Sequence, residues 1–232
     1  MFSFKSDAHP TALVEILAVV SCVLVAEWLV LPLFGRNLWI GLIPVLLAFI
    51  IMLISHLARG ESARGVGWRF DNFFRAILLL AGPMIIASFV LAGIGWLTGG
   101  FDARFPRPGS PLFSTVFWLF LWGLMQEYPL QGFINRRAQQ LCGKGITSVL
   151  IVATIFAFLH LPNLWLTLAT FCAGLLWATV YQRVPNLFAL GLSHCIMTIV
   201  LICTVPYSTL HGLRVGYNYF LKSDKIEVQR RD

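Results

Sequence analysis

The chain has 232 residues, 58% of them hydrophobic and 12% charged, with a mean hydropathy of +0.81, against roughly 25% charged residues in soluble domains. That excludes an ordinary soluble domain and predicts an all-α polytopic membrane protein. The formal charge of +7 would suggest nucleic acid in a soluble chain, but the basic residues lie in loops between apolar runs, where lipid headgroups and topology account for them; a lipid bilayer is expected as a partner and nucleic acid is not. Cys22, Cys142, Cys172, Cys195 and Cys203 form no CxxC pair, and most sit inside apolar runs as small hydrophobes.

A membrane span needs about 20 apolar residues, and in chain order the candidates are 11–34, 38–57, 74–97, 112–134, 146–161, 164–180 and 187–205. About seven spans, between six and eight, are therefore expected in a single membrane domain covering 1–232. The first run is too long for a signal-peptide core and contains Glu15, so it reads as an uncleaved span. The breaks are Gly35 to Asn37, ARGESARGVGWRFDN, FDARFPRPGSP, NRRAQQLCGKG, LPN and YQRVPN. WRFDNFFRA, with aromatics among Arg69, Asp71 and Arg75, reads as an interfacial lead-in to the third span.

Basic residues collect on the cytoplasmic side of a membrane protein. Lys5, Arg59, Arg64, Arg69, Arg75, Arg136, Arg137, Lys144 and Arg183 fall on one side, and Arg36, Arg104 and Arg107 on the other. The N-terminus is thus expected inside. The tail LRVGYNYFLKSDKIEVQRRD adds five basic residues that seven spans would place outside, which leaves one re-entrant segment or a different span number open.

MQEYPLQGFINRR follows FSTVFWLFLWGL directly and puts Gln126, Glu127 and Gln131 into an apolar helix. A carboxylate at a helix centre in hydrocarbon costs about 2.5 to 3.5 kcal/mol on insertion scales and marks a candidate functional site. Glu127 and Gln131 share a helix face, with Gln126 rotated by about 100°. Pro129 removes a backbone hydrogen bond and distorts the helix beside them. FAFLHLPN brings Phe156 and His160 one turn apart before Pro162 and Asn163, and ALGLSHCIMTIV brings His194 with Thr198 one turn on.

Each histidine alone reads as a satisfied structural residue, and Glu127 alone reads equally as a helix-pairing residue or a functional one. Together, three successive regions each supply one proton-transfer group, which is the set an activated-water hydrolase needs. A carboxylate can take the proton from water, and imidazoles can hold that water or stabilise an oxyanion. No G-x-S-x-G and no H-E-x-x-H is present; zinc on Glu127, His160 and His194 is the minority reading, and no cofactor is expected.

Gln126-Glu127-x-x-x-Gln131-Gly132, then Phe156-x-x-x-His160-Leu-Pro-Asn, then GLLWATVYQRVPNLFALGLSH ending at His194 resemble the three motifs of the CPBP family, the CAAX-protease and bacteriocin-processing intramembrane proteases. The family pattern is E-E-x-x-x-R-(G), F-x-x-x-H and H-x-x-x-N/D, and the resemblance covers about 112–200. It implies a CAAX-protease-like helical bundle in a bacterial plasma membrane. It also implies a membrane-embedded site and cleavage near the C-terminus or leader of a membrane-associated protein by glutamate-activated water. On this reading Glu127 is the general base, His160 helps to hold the attacking water, and His194 with Thr198 stabilises the oxyanion. Gln126, Gln131, Phe156 and Asn163 support the site or the substrate.

Three positions depart from the pattern: Gln126 stands for the first glutamate, Gln131 for the arginine and Thr198 for the last Asn or Asp. Loss of Glu and Arg together removes two buried charges at once and leaves neither unpaired. Two alternatives follow. One is an inactive relative serving as a scaffold or substrate-binding protein; the other is a transporter relaying protons through Glu15, Glu27 and Glu127, which no internal repeat supports.

Overall fold

The computed structural model describes residues 8–35, 37–101, 105 and 111–221. Lys5, Arg36, Arg104, Arg107, Lys222, Lys225, Arg230 and Arg231, which the orientation argument used, lie outside them. The described residues form helices and no strand. α1 (Ala8–Val25) continues through a π turn (Ala26–Val30) and Leu31–Phe34. α2 (Leu38–Ala58) and α3 (Phe73–Thr98) follow. α4 (Leu112–Glu127) passes into a π segment (Tyr128–Asn135) and then α5 (Arg136–Cys142). α6 (Ile146–Phe158), α7 (Leu164–Arg183) and α8 (Leu187–Thr204) complete the bundle.

Among the described residues, five helical runs are long and apolar enough to cross a membrane: Thr11–Phe34, α2, α3, α7 and α8. The chain is thus an all-α polytopic membrane protein, with two of the seven expected segments built differently. α4 has 16 residues and gains length only by running on into the π segment. α6 has 13 residues, about 20 Å at the helical rise, and stops where His160 to Asn163 fold into turns. Both segments carry candidate site residues, and their polarity and turns shorten them.

Burial follows the same division. α3 turns Leu78, Phe89, Val90, Trp96 and Leu97 outward, as a lipid-facing helix does. The π segment, α6, α7 and α8 bury Leu130, Phe133, Val152, Phe156, Trp177, Tyr181, Leu187 and Leu190 against one another. The YQRVPN turn fastens this core to the loop before α3. Tyr181 Oη donates to the Val66 carbonyl at 2.6 Å, Asn186 Nδ2 donates to the Arg69 carbonyl at 2.7 Å, and Asn186 Oδ1 caps α8 by accepting from Ala189 N–H. The lead-in to α3 divides accordingly: Phe70 and Phe74 are exposed, while Trp68 packs on Tyr128 and Phe188.

Several of the basic residues counted for topology are held in a buried ion cluster. Arg137, fully buried, donates to Glu15 Oε2 at 2.7 Å, to Glu61 Oε2 at 2.9 Å and to Ser55 Oγ at 2.8 Å. Arg136 holds Glu61 Oε1, Arg59 holds Glu15 Oε1, and His56 Nδ1 meets Glu61 Oε2 at 2.6 Å. The cluster ties α1, α2, the loop after α2, and α5 into one end of the bundle. Glu15, weighed as a relay group, is therefore committed to Arg59 and Arg137.

Removing one member of a buried ion network strands the others, at about 3 to 5 kcal/mol. Arg137→Met is accordingly expected to lower stability by about that amount, read as the loss of melting temperature in detergent. Glu61 lies outside the spans. Burial alone would raise its carboxyl, but the hydrogen bonds from His56, Arg137 and Arg136 outweigh burial and hold it far below the usual range. A carboxyl depressed in the folded state stabilises fully above its unfolded value of about 4.3 and loses that contribution as pH falls further. Wild-type melting temperature should fall as pH drops below about 4.3, and Glu61→Gln, weaker at neutral pH, should show a shallower fall.

Candidate active site

The site begins with the helix that carries it. Pro129 has no N–H to offer and stands at the second position of the π segment. The helix widens into i→i+5 turns immediately after Glu127, a common local form at functional sites. Glu127 is the last residue of α4, and its side chain is fully buried. Its Oε1 accepts a hydrogen bond from His194 Nδ1 at 2.9 Å. Burial takes this carboxylate out of bulk solvent, and the imidazole answers the charge that composition alone made costly.

Two glycines let α4 and α8 approach closely enough for that bond. A Cβ on Gly123 would lie 2.9 Å from the Gly191 carbonyl and 3.1 Å from His194 Cβ, and a Cβ on Gly191 would meet Leu124 at 3.2 Å. Gly174 plays the same part between α7 and α6, where a Cβ would lie 2.9 Å from Ala153 Cα.

Aromatic rings set the imidazoles. His194 stacks on Trp177, with centroids 4.6 Å apart and planes at 12°. Phe156 touches His160 edge-on at 4.7 Å and reaches His194 at 6.1 Å. His160 Nδ1 donates to the Phe156 carbonyl at 2.7 Å, so in its neutral form His160 presents Nε2 as an acceptor. His194, with Nδ1 on Glu127, likewise turns Nε2 elsewhere, as an acceptor when neutral and a donor when charged.

Gln131 is fully buried beside the Glu127 carboxylate. Its Oε1 accepts from Asn135 Nδ2 at 2.8 Å. Among the described residues its Nε2 has no well-formed partner, and neither has Glu127 Oε2 or Trp177 Nε1. Buried polar atoms in folded proteins are rarely left so, and three of them gather on the residues around one carboxylate. An unpaired acceptor beside an unpaired donor suits a small group that both donates and accepts, such as a water or a peptide unit.

The structure thus brings Glu127, His194 and Gln131 together, with Phe156 and His160 across the aromatic contact. Gln126 and Thr198 are half-buried, and neither bonds to Glu127, His160 or His194. Asn163 is committed elsewhere. Its Oδ1 caps α7 by accepting from Leu166 N–H, and its Nδ2 donates to the carbonyls of Leu210 and Arg214, pinning the C-terminal segment. Sequence reasoning passed over Trp177, which shows no periodic or motif signal, and Asn135, whose position four residues beyond Gln131 was a legible one. Among the described residues no three His, Cys, Asp or Glu side chains converge in an arrangement able to hold a metal ion.

Close packing at Gly123 carries a direct consequence. Gly123→Ala forces α4 and α8 apart and is expected to cost about 1 to 3 kcal/mol, as overpacking does. Gly82→Ala on α3, where a Cβ meets nothing, should instead be neutral or gain up to about 1 kcal/mol. Melting temperatures of the two variants check the contrast.

One family model matches the chain, described as type II CAAX prenyl endopeptidase Rce1-like, over residues 108–200. No curated protein and no solved structure matches significantly. The matched segment contains α4, the π segment and α5 to α7, and most of α8, and with them Glu127, His160 and His194. The match covers less than half of the chain and falls on the stretch that carries the CPBP-like motifs, with which it is consistent.

Proposed function

We propose that the chain is an intramembrane endopeptidase that cleaves a peptide bond near the C-terminus or leader of a membrane-associated protein, using water activated by Glu127. The observation that carries this reading is the fully buried Glu127 carboxylate, anchored through Oε1 by His194 and left with Oε2 unpaired beside the unpaired Gln131 Nε2. A water donating to Oε2 and accepting from Nε2 satisfies both. Attack of its oxygen on a substrate carbonyl sends the water proton to Glu127 Oε2. The C–N bond then breaks, and that proton passes to the leaving nitrogen, so Glu127 serves as base and then acid.

The imidazoles serve the charge that develops. With His194 protonated, Nδ1 stays on Glu127 while Nε2–H is free to donate to the oxyanion. His160, held by the Phe156 carbonyl, offers Nε2 as an acceptor to the attacking water. Trp177 keeps the His194 ring flat against it. Gln126 stays in the reading as a support that orients water or substrate, and Thr198 as a second donor near the oxyanion. The family match supports a membrane-protein substrate and a lipid setting; prenylation is the substrate feature that the family description suggests. We place the chain in a bacterial plasma membrane with its N-terminus cytoplasmic.

The test compares C-termini of membrane proteins in cells expressing wild type or Glu127→Gln at matched levels. New C-termini in wild type that fall by about 10²- to 10⁴-fold in the variant are expected, the span typical of lost general acid–base catalysis. Identical C-termini from two folded proteins would favour the inactive relative and make Glu127 structural.

A further inference from the structure

Gln131 belongs to a longer line of buried amides, and the line has a direction. It starts at the peptide groups of Gly145, in the turn between α5 and α6. The Gly145 N–H donates to Gln182 Oε1 at 3.0 Å. The Gly145 carbonyl accepts from Ser148 Oγ at 3.0 Å, which commits that hydroxyl's proton, and Ser148 Oγ in turn accepts from Gln182 Nε2 at 2.9 Å. A backbone N–H can only donate and a carbonyl can only accept. The Gln182 amide is thus fixed in one orientation from both ends.

That orientation is passed on. Gln182 Nε2 donates to Asn135 Oδ1 at 3.1 Å, and Gln139 Nε2 donates to the same oxygen at 3.0 Å. Asn135 must then turn Nδ2 the other way, where it donates to Gln131 Oε1 at 2.8 Å and to the Ala178 carbonyl at 3.3 Å. The Ala178 carbonyl can only accept, so it holds Asn135 Nδ2 in the same direction. With its oxygen taken, Gln131 can present only N–H groups to Glu127. Asn135 and Ser148 are fully buried and Gln182 nearly so, so no water competes for these bonds.

We infer that Asn135, Gln182 and Ser148 are positioning residues that, through Gln131, keep an uncharged N–H donor turned toward the Glu127 carboxylate. Gln131 stands where the family pattern has arginine, so this chain keeps the donor and drops the charge, which fits the absence of a second glutamate at Gln126. The line also joins the Glu127 site to the α5–α6 turn through side chains alone. Its catalytic sense rests on the endopeptidase reading; its geometry does not.

The experiment is a double-mutant cycle on the full-length protein in detergent, read as melting temperature. Asn135→Asp keeps the acceptor for Gln182 and Gln139 but cannot donate. Gln131 must then turn Nε2 toward the new carboxylate and its carbonyl toward Glu127, two acceptors face to face. Adding Glu127→Gln puts a donor opposite that carbonyl and should restore at least half of the melting temperature lost. Asn135→Leu, which breaks the line without reversing it, should gain no such rescue from Glu127→Gln. Additive losses, or no loss in Asn135→Asp, overturn the inference.

A second measurement holds if Asn135→Asp does not fold. In protein labelled with ¹⁵N at glutamine side chains, the Gln131 amide signal, identified by its loss in Gln131→Leu, should shift clearly in Glu127→Ala. An unmoved signal overturns the inference. Neither measurement uses a substrate, so the positioning line can hold while the endopeptidase reading fails, or the reverse.

Discussion

In hydrocarbon there is no water to answer a polar group, so each one must find its partner within the protein. That constraint organises this molecule around a single run of helix. From Glu127 to Gln139 the chain buries Glu127, Gln131, Asn135 and Arg137 completely, and each draws another element toward it. Glu127 draws α8 through His194, Asn135 draws α7 through Gln182 and Ala178, and Arg137 draws α1, α2 and the loop after α2 through Glu15, Ser55 and Glu61. The bundle is assembled on polar bonds where apolar contact alone does not favour one helix pairing over another in lipid.

The shape of that helix and its chemistry have one origin. Pro129 cannot complete an α-helical ladder, and the helix widens into π turns where the polar residues begin. Around it the backbones come unusually near, since Gly123, Gly191 and Gly174 carry no Cβ to hold α4 from α8 or α6 from α7. Short, small-residue contacts bring Glu127 within reach of His194, and the flat face of Trp177 fixes the imidazole plane. Site geometry here is a product of backbone approach, which is rigid, more than of long flexible side chains.

Much of this was legible in the sequence. Composition gives the membrane class, the glutamate in an apolar run marks the candidate site, and Phe156, His160 and His194 are singled out with it by the ordered motifs of the family resemblance. Asn163 reads as a site residue because it sits beside His160, and in the structure its amide caps α7 and pins the C-terminal segment instead. The basic residues counted for topology conceal a buried ion cluster, because hydropathy does not say that Arg59, Arg136 and Arg137 turn inward toward Glu15 and Glu61. Trp177 and the partners of Asn135 were hidden for a related reason: stacking and amide orientation depend on which helices meet, and that is decided by tertiary contacts with no local signal.

The central claim is that the Glu127 carboxylate, held by His194, activates water inside the bundle. Its most direct test is incorporation of solvent oxygen by the purified protein in bilayer discs, given prenylated and unprenylated membrane peptides in H₂¹⁸O. The account predicts that wild type releases a product whose new C-terminus carries ¹⁸O and that Glu127→Gln releases almost none. Equal labelled product from both proteins would show that water is activated elsewhere and would contradict the account.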